Sequence, residues 1–154
     1  MQFQLTDDFI EQLQELIGQN DSIQVNEILS EIHFADIAEI IDELNLDEAI
    51  FIIKLLDSVT TSEALMELDE DQRDRILNAL SPQESADELE EMDTDDAADI
   101  LNDLSDERAQ QIISAMADEE HVENIVDLLR YEENSAGGLM AKELVKVNEN
   151  WTTI

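Results

Sequence analysis

A hydrophobic repeat with a 12-residue period runs through most of this chain. Stepping by twelve from Ile17 gives Leu29, Ile41, Ile53, Leu65, Leu77, Leu89, Leu101, Ile113 and Ile125. The column three residues later reads Ile32, Leu44, Leu56, Leu68, Leu80, Met92, Leu104, Met116 and Leu128. So regular a spacing means that one small unit is stacked many times. The residue after each second-column position is mostly a helix-capping type: Asp21, His33, Asn45, Asp57, Asp69, Ser81, Asp93 and Ser105. These side chains accept from the orphan amides of a first helical turn. Asp21 with Gln24, Asn45 with Glu48, Asp69 with Gln72 and Ser81 with Glu84 have the spacing of capping boxes, and Pro82 stands at a first helical position, where its missing N–H costs little.

Each unit is therefore one short capped helix of about nine residues, roughly 14 Å long, too short to persist alone in water. Consecutive helices joined by tight corners make 24-residue hairpins. The expected fold is all-α: a right- or left-handed superhelix, an α-solenoid with a 12-residue half-repeat, followed by a short extended tail. Ile52, Ile76 and Ile100 add a third apolar residue to alternate helices, where the others carry Ile40, Ala64, Glu88 and Ile112, so one layer is expected to be inner and the next more exposed. The first helix is expected to start at Thr6 and to end before Gly18. No glycine lies between Gly18 and Gly137, which argues against a β-rich segment.

The chain has 154 residues, enough for one domain or one domain plus a fragment. It has no cysteine, so disulfides, zinc–thiolate sites and thiol catalysis are excluded. No run approaches the ~18 apolar residues of a membrane helix, and no signal peptide heads the sequence. Acids outnumber bases 41 to 7, for a net charge of −34. Nucleic acid would be repelled, whereas cations or a basic partner would be attracted. A solvated acidic face is the plainer account of the same charge.

The repeat stops after Arg130. Residues 1–130 are expected to form the superhelical domain and residues 131–154 a junction and the start of a second domain. That second stretch contains Tyr131-Glu-Glu-Asn-Ser-Ala-Gly-Gly-Leu-Met140, a strand signal at Val145 and Val147, and Trp151 close to Ile154.

No catalytic constellation is present, and an enzyme is not expected. There is no phosphate-binding loop, dinucleotide turn or zinc-protease motif, and His33 occupies a capping slot. The densest organised acidic cluster is Asp93-Thr-Asp95-Asp96-Ala-Ala-Asp99 with Asp103 beyond it. Asp95, Asp99 and Asp103 share one helix face. Such a surface suits Mg²⁺, which takes one or two carboxylates and keeps several waters. A calcium-binding EF-hand is excluded, because Ala98 and Leu104 fall where glycine and glutamate are required. Helix capping by Asp93 and a favourable helix dipole account for Asp93 to Asp96 without a metal, but not for Asp99 and Asp103.

The helical repeat, Met92-Asp-Thr-Asp-Asp-Ala-Ala-Asp-Ile-Leu101, and above all the Ser-Ala-Gly-Gly-Leu-Met junction leading to Val145 and Val147 resemble the MgtE family of bacterial magnesium channels. The resemblance covers essentially the whole chain, as the cytosolic N-terminal superhelical domain and the first residues of a CBS domain. It implies a homodimeric membrane protein whose N and CBS domains sense intracellular Mg²⁺. The ion draws acidic surfaces together and closes a pore formed by the transmembrane domains. ATP binding in the family belongs to the CBS domains. The metal ligands the resemblance implies are Asp95 and Asp99 with Asp96 beside them, Glu63 at a more distant position, and Gly137 through its carbonyl. The alternative is a protein–protein adaptor related to the flagellar motor switch, which shares a related superhelix.

Overall fold

The computed structural model describes residues 4–131, and the expected tail, the junction and Gly137 lie outside the described residues. Within them the chain forms ten helices and no strand. These are α1 (Asp7–Gly18), α2 (Ser22–Leu29), α3 (Phe34–Glu43), α4 (Leu46–Ile53), α5 (Ser58–Glu67), α6 (Glu70–Ala79), α7 (Pro82–Glu90), α8 (Thr94–Asp103), α9 (Asp106–Ala115) and α10 (Glu119–Leu128).

Helices pack on the neighbour two places along the chain. α3, α5, α7 and α9 stack in succession as one layer; in the other, α4 packs on α6 and α8 on α10. This is the two-layer ladder that a 24-residue hairpin generates. The repeat columns fill the space between the layers. Leu29, Ile41, Ile53, Leu65, Leu77, Leu89, Leu101 and Ile125 are all buried, while Ile17 and Ile113 are half-buried. The expected contrast between an inner and an outer layer is not found. Ile40, Ala64 and Ile112 are as fully buried as Ile52, Ile76 and Ile100, and only Glu88 departs, half-buried in its stripe.

The corners explain why the array needs no glycine. Leu44, Leu68, Leu80, Leu104 and Met116 end their helices in extended conformations open to any L-residue. Each turns the chain while packing its own side chain inward, and the next residue or two begin the following helix. All eight expected caps occupy N-cap positions. Two of the four expected capping boxes close reciprocally, Asn45–Glu48 and Ser81–Glu84. In the other two the glutamine side chain goes elsewhere: Gln24 to the Asp21 carboxylate and Gln72 to the Ile41 carbonyl. α10 starts one residue late, capped by Asp118, and Glu90 accepts from the Ala117 and Asp118 amides to hold that corner.

α1 ends differently from expectation. Gly18 is its last helical residue, and the left-handed position belongs to Asn20 at φ 57°. The Asn20 N–H bonds the Ile17 carbonyl at 2.8 Å and the Asp21 N–H the Leu16 carbonyl at 3.0 Å, which is a Schellman cap built on asparagine.

Part of the acidity is structural. Eight of the ten helices carry Asp or Glu in the first turn and none carries a base in the last. Carboxylates at helix starts gain about 0.3–1 kcal/mol each from the positive end of the dipole.

Candidate metal centre

Helix starts rich in acid are common here, so the start of α8 matters only where it differs from the others. Asp93 occupies its N-cap position with extended backbone angles, yet makes no side-chain capping bond. Asp21, Asp57, Asp69 and Asp118, at equivalent positions, all accept from a backbone amide of their helix. One carboxylate oxygen from each of Asp93, Asp95 and Asp96 lies within 4.8 Å of the other two; among the described residues no other group of three acidic or histidine side chains converges in this way. Asp93 is exposed, while Asp95 and Asp96 are half-buried.

The fold adds a second wall. Ser62, Glu63 and Met66 from α5 face Glu91, Met92, Asp93 and Asp96 across an open cleft of about 210 Å³. Glu63 and Asp96 are thus brought together from separate repeats. The stacking of α5 on α7 places the C-terminal half of α5 beside the α7–α8 corner. Asp99 lies one turn further along α8, half-buried and outside the converging trio. Gly137 lies outside the described residues. Asp103 is already engaged by a protein cation, with Arg73 of α6 meeting its Oδ2 at 3.2 Å.

Two residues of the cleft were not singled out as ligands by the sequence. Asp93 was hidden by its capping slot. The signal was the residue three places on, Asp96, too short to reach back as Glu48 and Glu84 do. Glu91 carries no local signal, since adjacent acids are everywhere in this chain.

These donors suit one kind of ion. They are all hard carboxylate oxygens in an open, water-accessible cleft, with no imidazole or thiolate among them. Mg²⁺ binds through one or two carboxylates and keeps its remaining waters, so the Asp93–Asp95–Asp96 trio fits such a hard divalent cation.

A family model described as the MgtE intracellular N domain matches residues 32–134. The chain belongs to that family. Among solved structures, it is similar to the cytosolic domain of the Mg²⁺ channel MgtE in complex with ATP, with 31% identity and a TM-score of 0.76 over 86% of this chain and 54% of that one. It also shares the fold of the soluble part of a magnesium transporter, with a TM-score of 0.77 and 24% identity over 90% of this chain and 55% of that one. This MgtE N domain therefore spans about half the length of the solved structures it matches. No curated protein matches it. No helix among the described residues is long and apolar enough to cross a membrane.

Proposed function

We propose that this domain is the cytosolic regulatory module of a magnesium transporter and that it senses intracellular Mg²⁺ through the cleft between α5 and the α7–α8 corner. In this reading it does no catalysis. It lies on the cytoplasmic side of the bacterial cell membrane, joined to CBS and transmembrane domains in a homodimer. The observation that carries the reading is the convergence of Asp93, Asp95 and Asp96 opposite Glu63, in a family whose solved relatives come from magnesium transporters.

The physics is repulsion relieved by a counter-ion. Two unit charges ~4 Å apart interact by about 4 kcal/mol at an effective dielectric of 20. Several such repulsions across a gap hold it open, and one divalent ion reverses their sign. Screening limits the effect to a Debye length of ~8 Å at physiological salt, so the ion has to enter the gap. Carboxylates of this domain form one side of such a gap, with Asp99 and the Gly137 carbonyl as further donors, and neighbouring domains supply the rest. The ion then shifts the equilibrium toward compaction by its preference for the closed arrangement, and the pore closes.

The test is a Mg²⁺ titration of the 154-residue chain, followed by NMR amide shifts at fixed ionic strength. Shifts should concentrate at Ser62–Met66 and Glu91–Asp96 and vanish in Asp95→Asn/Asp96→Asn. Shifts spread evenly over all acidic helix starts would overturn the assignment. In the full-length transporter, loss of Mg²⁺-dependent compaction in the same double variant, read by small-angle scattering, is the expected functional consequence.

A further inference from the structure

Glu88 is the one acidic side chain in a column otherwise filled by Ile40, Ala64 and Ile112. It projects from α7 into a pocket of about 230 Å³ shared with Ile53, Lys54, Leu56, Ser58 and Leu80. Ser58, at the start of α5, lines the same pocket, and its hydroxyl favours the ionised carboxylate. Its Oε2 is buried and meets no donor among the described residues. A carboxylate oxygen placed so loses hydration without replacement, which favours the protonated form.

The charges around it point the same way. From its own helix it faces Asp87 and Glu91, and from the α4–α5 corner Asp57, all of which oppose its ionisation. Lys54 and Glu84 line the same pocket, but they pair with each other at 2.9 Å. From α9, the Arg108 guanidinium is engaged by the Leu77 and Leu80 carbonyls; from α10, His121 Nε2 lies 3.3 Å from the Leu89 carbonyl. Burial above all pushes the Glu88 carboxyl up to about 7.

Its position relative to the cation cleft is what gives this consequence. The same two helices clamp both features. Ser58 shares the Glu88 pocket at one end of α5, and Glu63 and Met66 form the cleft wall further along. Glu91, one turn from Glu88 on the other side, lines that cleft. Glu91 is thus the charge the two features share: it opposes ionisation of Glu88 and lines the cleft.

We propose that Glu88 is a proton-binding group coupled to the cation cleft: a proton taken up at its carboxyl weakens cation binding there, and a bound cation expels that proton. The proposal rests on the cation-sensing reading above and adds to it a regulation by cytosolic pH. Linkage makes the two effects equal in size.

The test uses the 154-residue chain with His33→Asn and His121→Asn, so that no imidazole titrates in the neutral range. Carboxyl-carbon NMR follows Glu88 from pH 5 to 9 without metal, and Mg²⁺ titrations are run at pH 6 and pH 8. Affinity should be about fivefold weaker at pH 6, the low end of ordinary coupling between two sites. The difference should vanish in Glu88→Gln, and the Glu88 midpoint should fall when Mg²⁺ is added. In Ser58→Ala the midpoint should rise, because the donor to the ionised form is gone. An unchanged pH dependence in Glu88→Gln overturns the coupling while leaving the cleft assignment standing. Absence of Mg²⁺ binding at pH 8, with Glu88 still titrating near neutrality, overturns the cation reading and the coupling with it.

Discussion

Arg73 on α6 meets Asp103 on α8 at 3.2 Å, with 13% and 27% of the two side chains exposed, and this pair divides the acidic face of α8 into a neutralised end and an anionic end. Asp95 and Asp96 stand at the anionic end beside Asp93. Sequence spacing alone puts Asp103 on the same face as Asp95 and Asp99, and charge counting alone makes it a ligand candidate. The fold removes it by bringing a cation across from the neighbouring repeat. Asp103→Asn should leave Mg²⁺ affinity within about twofold of the parent and cost roughly 1 kcal/mol of stability, the value of a partly buried ion pair discounted for solvent. Asp95→Asn should instead weaken Mg²⁺ binding, with a stability loss no larger than the about 0.3–1 kcal/mol of a carboxylate at a helix start. Calorimetric titration and urea denaturation of the same two variants separate the roles.

Asp93 offers a sharper division. It holds a capping position without making the capping bond, while Ser81 and Ser105 at equivalent corners make theirs. Asp93→Ser supplies a hydroxyl suited to the bond and removes one of three crowded carboxylates. The apoprotein should gain up to about 1 kcal/mol, the ordinary worth of an N-cap bond. Mg²⁺ should bind more weakly. Opposite signs for stability and affinity are the signature of a carboxylate kept for a ligand; equal losses in both would assign Asp93 to the fold alone.

The solenoid was legible because it is periodic. Columns such as Leu65–Leu77–Leu89 report burial directly, and caps such as Asn45 and Ser81 report helix starts, both being local signals that recur at every repeat. What repeats cannot encode is contact between them. Asp103 with Arg73 and Glu63 with Asp96 join residues from different units, so no local pattern announces them. The same is true of Arg108, whose guanidinium reaches from α9 back to the Leu77 and Leu80 carbonyls at the end of α6. Glu63 entered the candidate site only through the family resemblance, and the stacking of α5 on α7 supplies the physical reason for it. The end of α1 departs from the sequence expectation because Gly is the commoner left-handed residue, yet Asn20 adopts that conformation with the backbone bonds of the motif.

Gly18 is helical, and a Cβ built on it meets no atom within 4 Å. Gly18→Ala should stabilise the chain by about 0.5–1 kcal/mol through lower backbone entropy in the unfolded state. Asn20→Gly should also stabilise modestly, and Asn20→Val should cost roughly 1 kcal/mol or more, since a β-branched residue is strained at positive φ. Thermal unfolding followed by circular dichroism reads all three. Destabilisation by Gly18→Ala would mean that the left-handed residue is Gly18 after all.

The two perturbed glutamates of α7 predict opposite responses to pH. Glu84 accepts from the Ser81 amide at 2.8 Å and pairs with Lys54 at 2.9 Å, and the amide first, then the ammonium, hold its carboxyl down at about 2. Its contribution is present above the ordinary value of 4.5 and is lost as pH falls toward 2. With 40% of the side chain exposed, solvent screening keeps that contribution below about 1 kcal/mol. Glu84→Gln should therefore destabilise slightly at pH 6 and become neutral near pH 2. Glu88 is the reverse case. Burial raises its carboxyl to about 7, so its stabilising, protonated form is fully present below 4.5 and is lost as pH rises through 7. Glu88→Met removes the penalty of an ionised carboxylate in an apolar column. It should stabilise the chain by roughly 1–2 kcal/mol at pH 8 and by much less at pH 5. Urea denaturation at the two pH values, at constant ionic strength so that the net charge of −34 is equally screened, measures the difference. An effect of the same size at both would show that Glu88 does not carry a neutral-range proton in the folded chain.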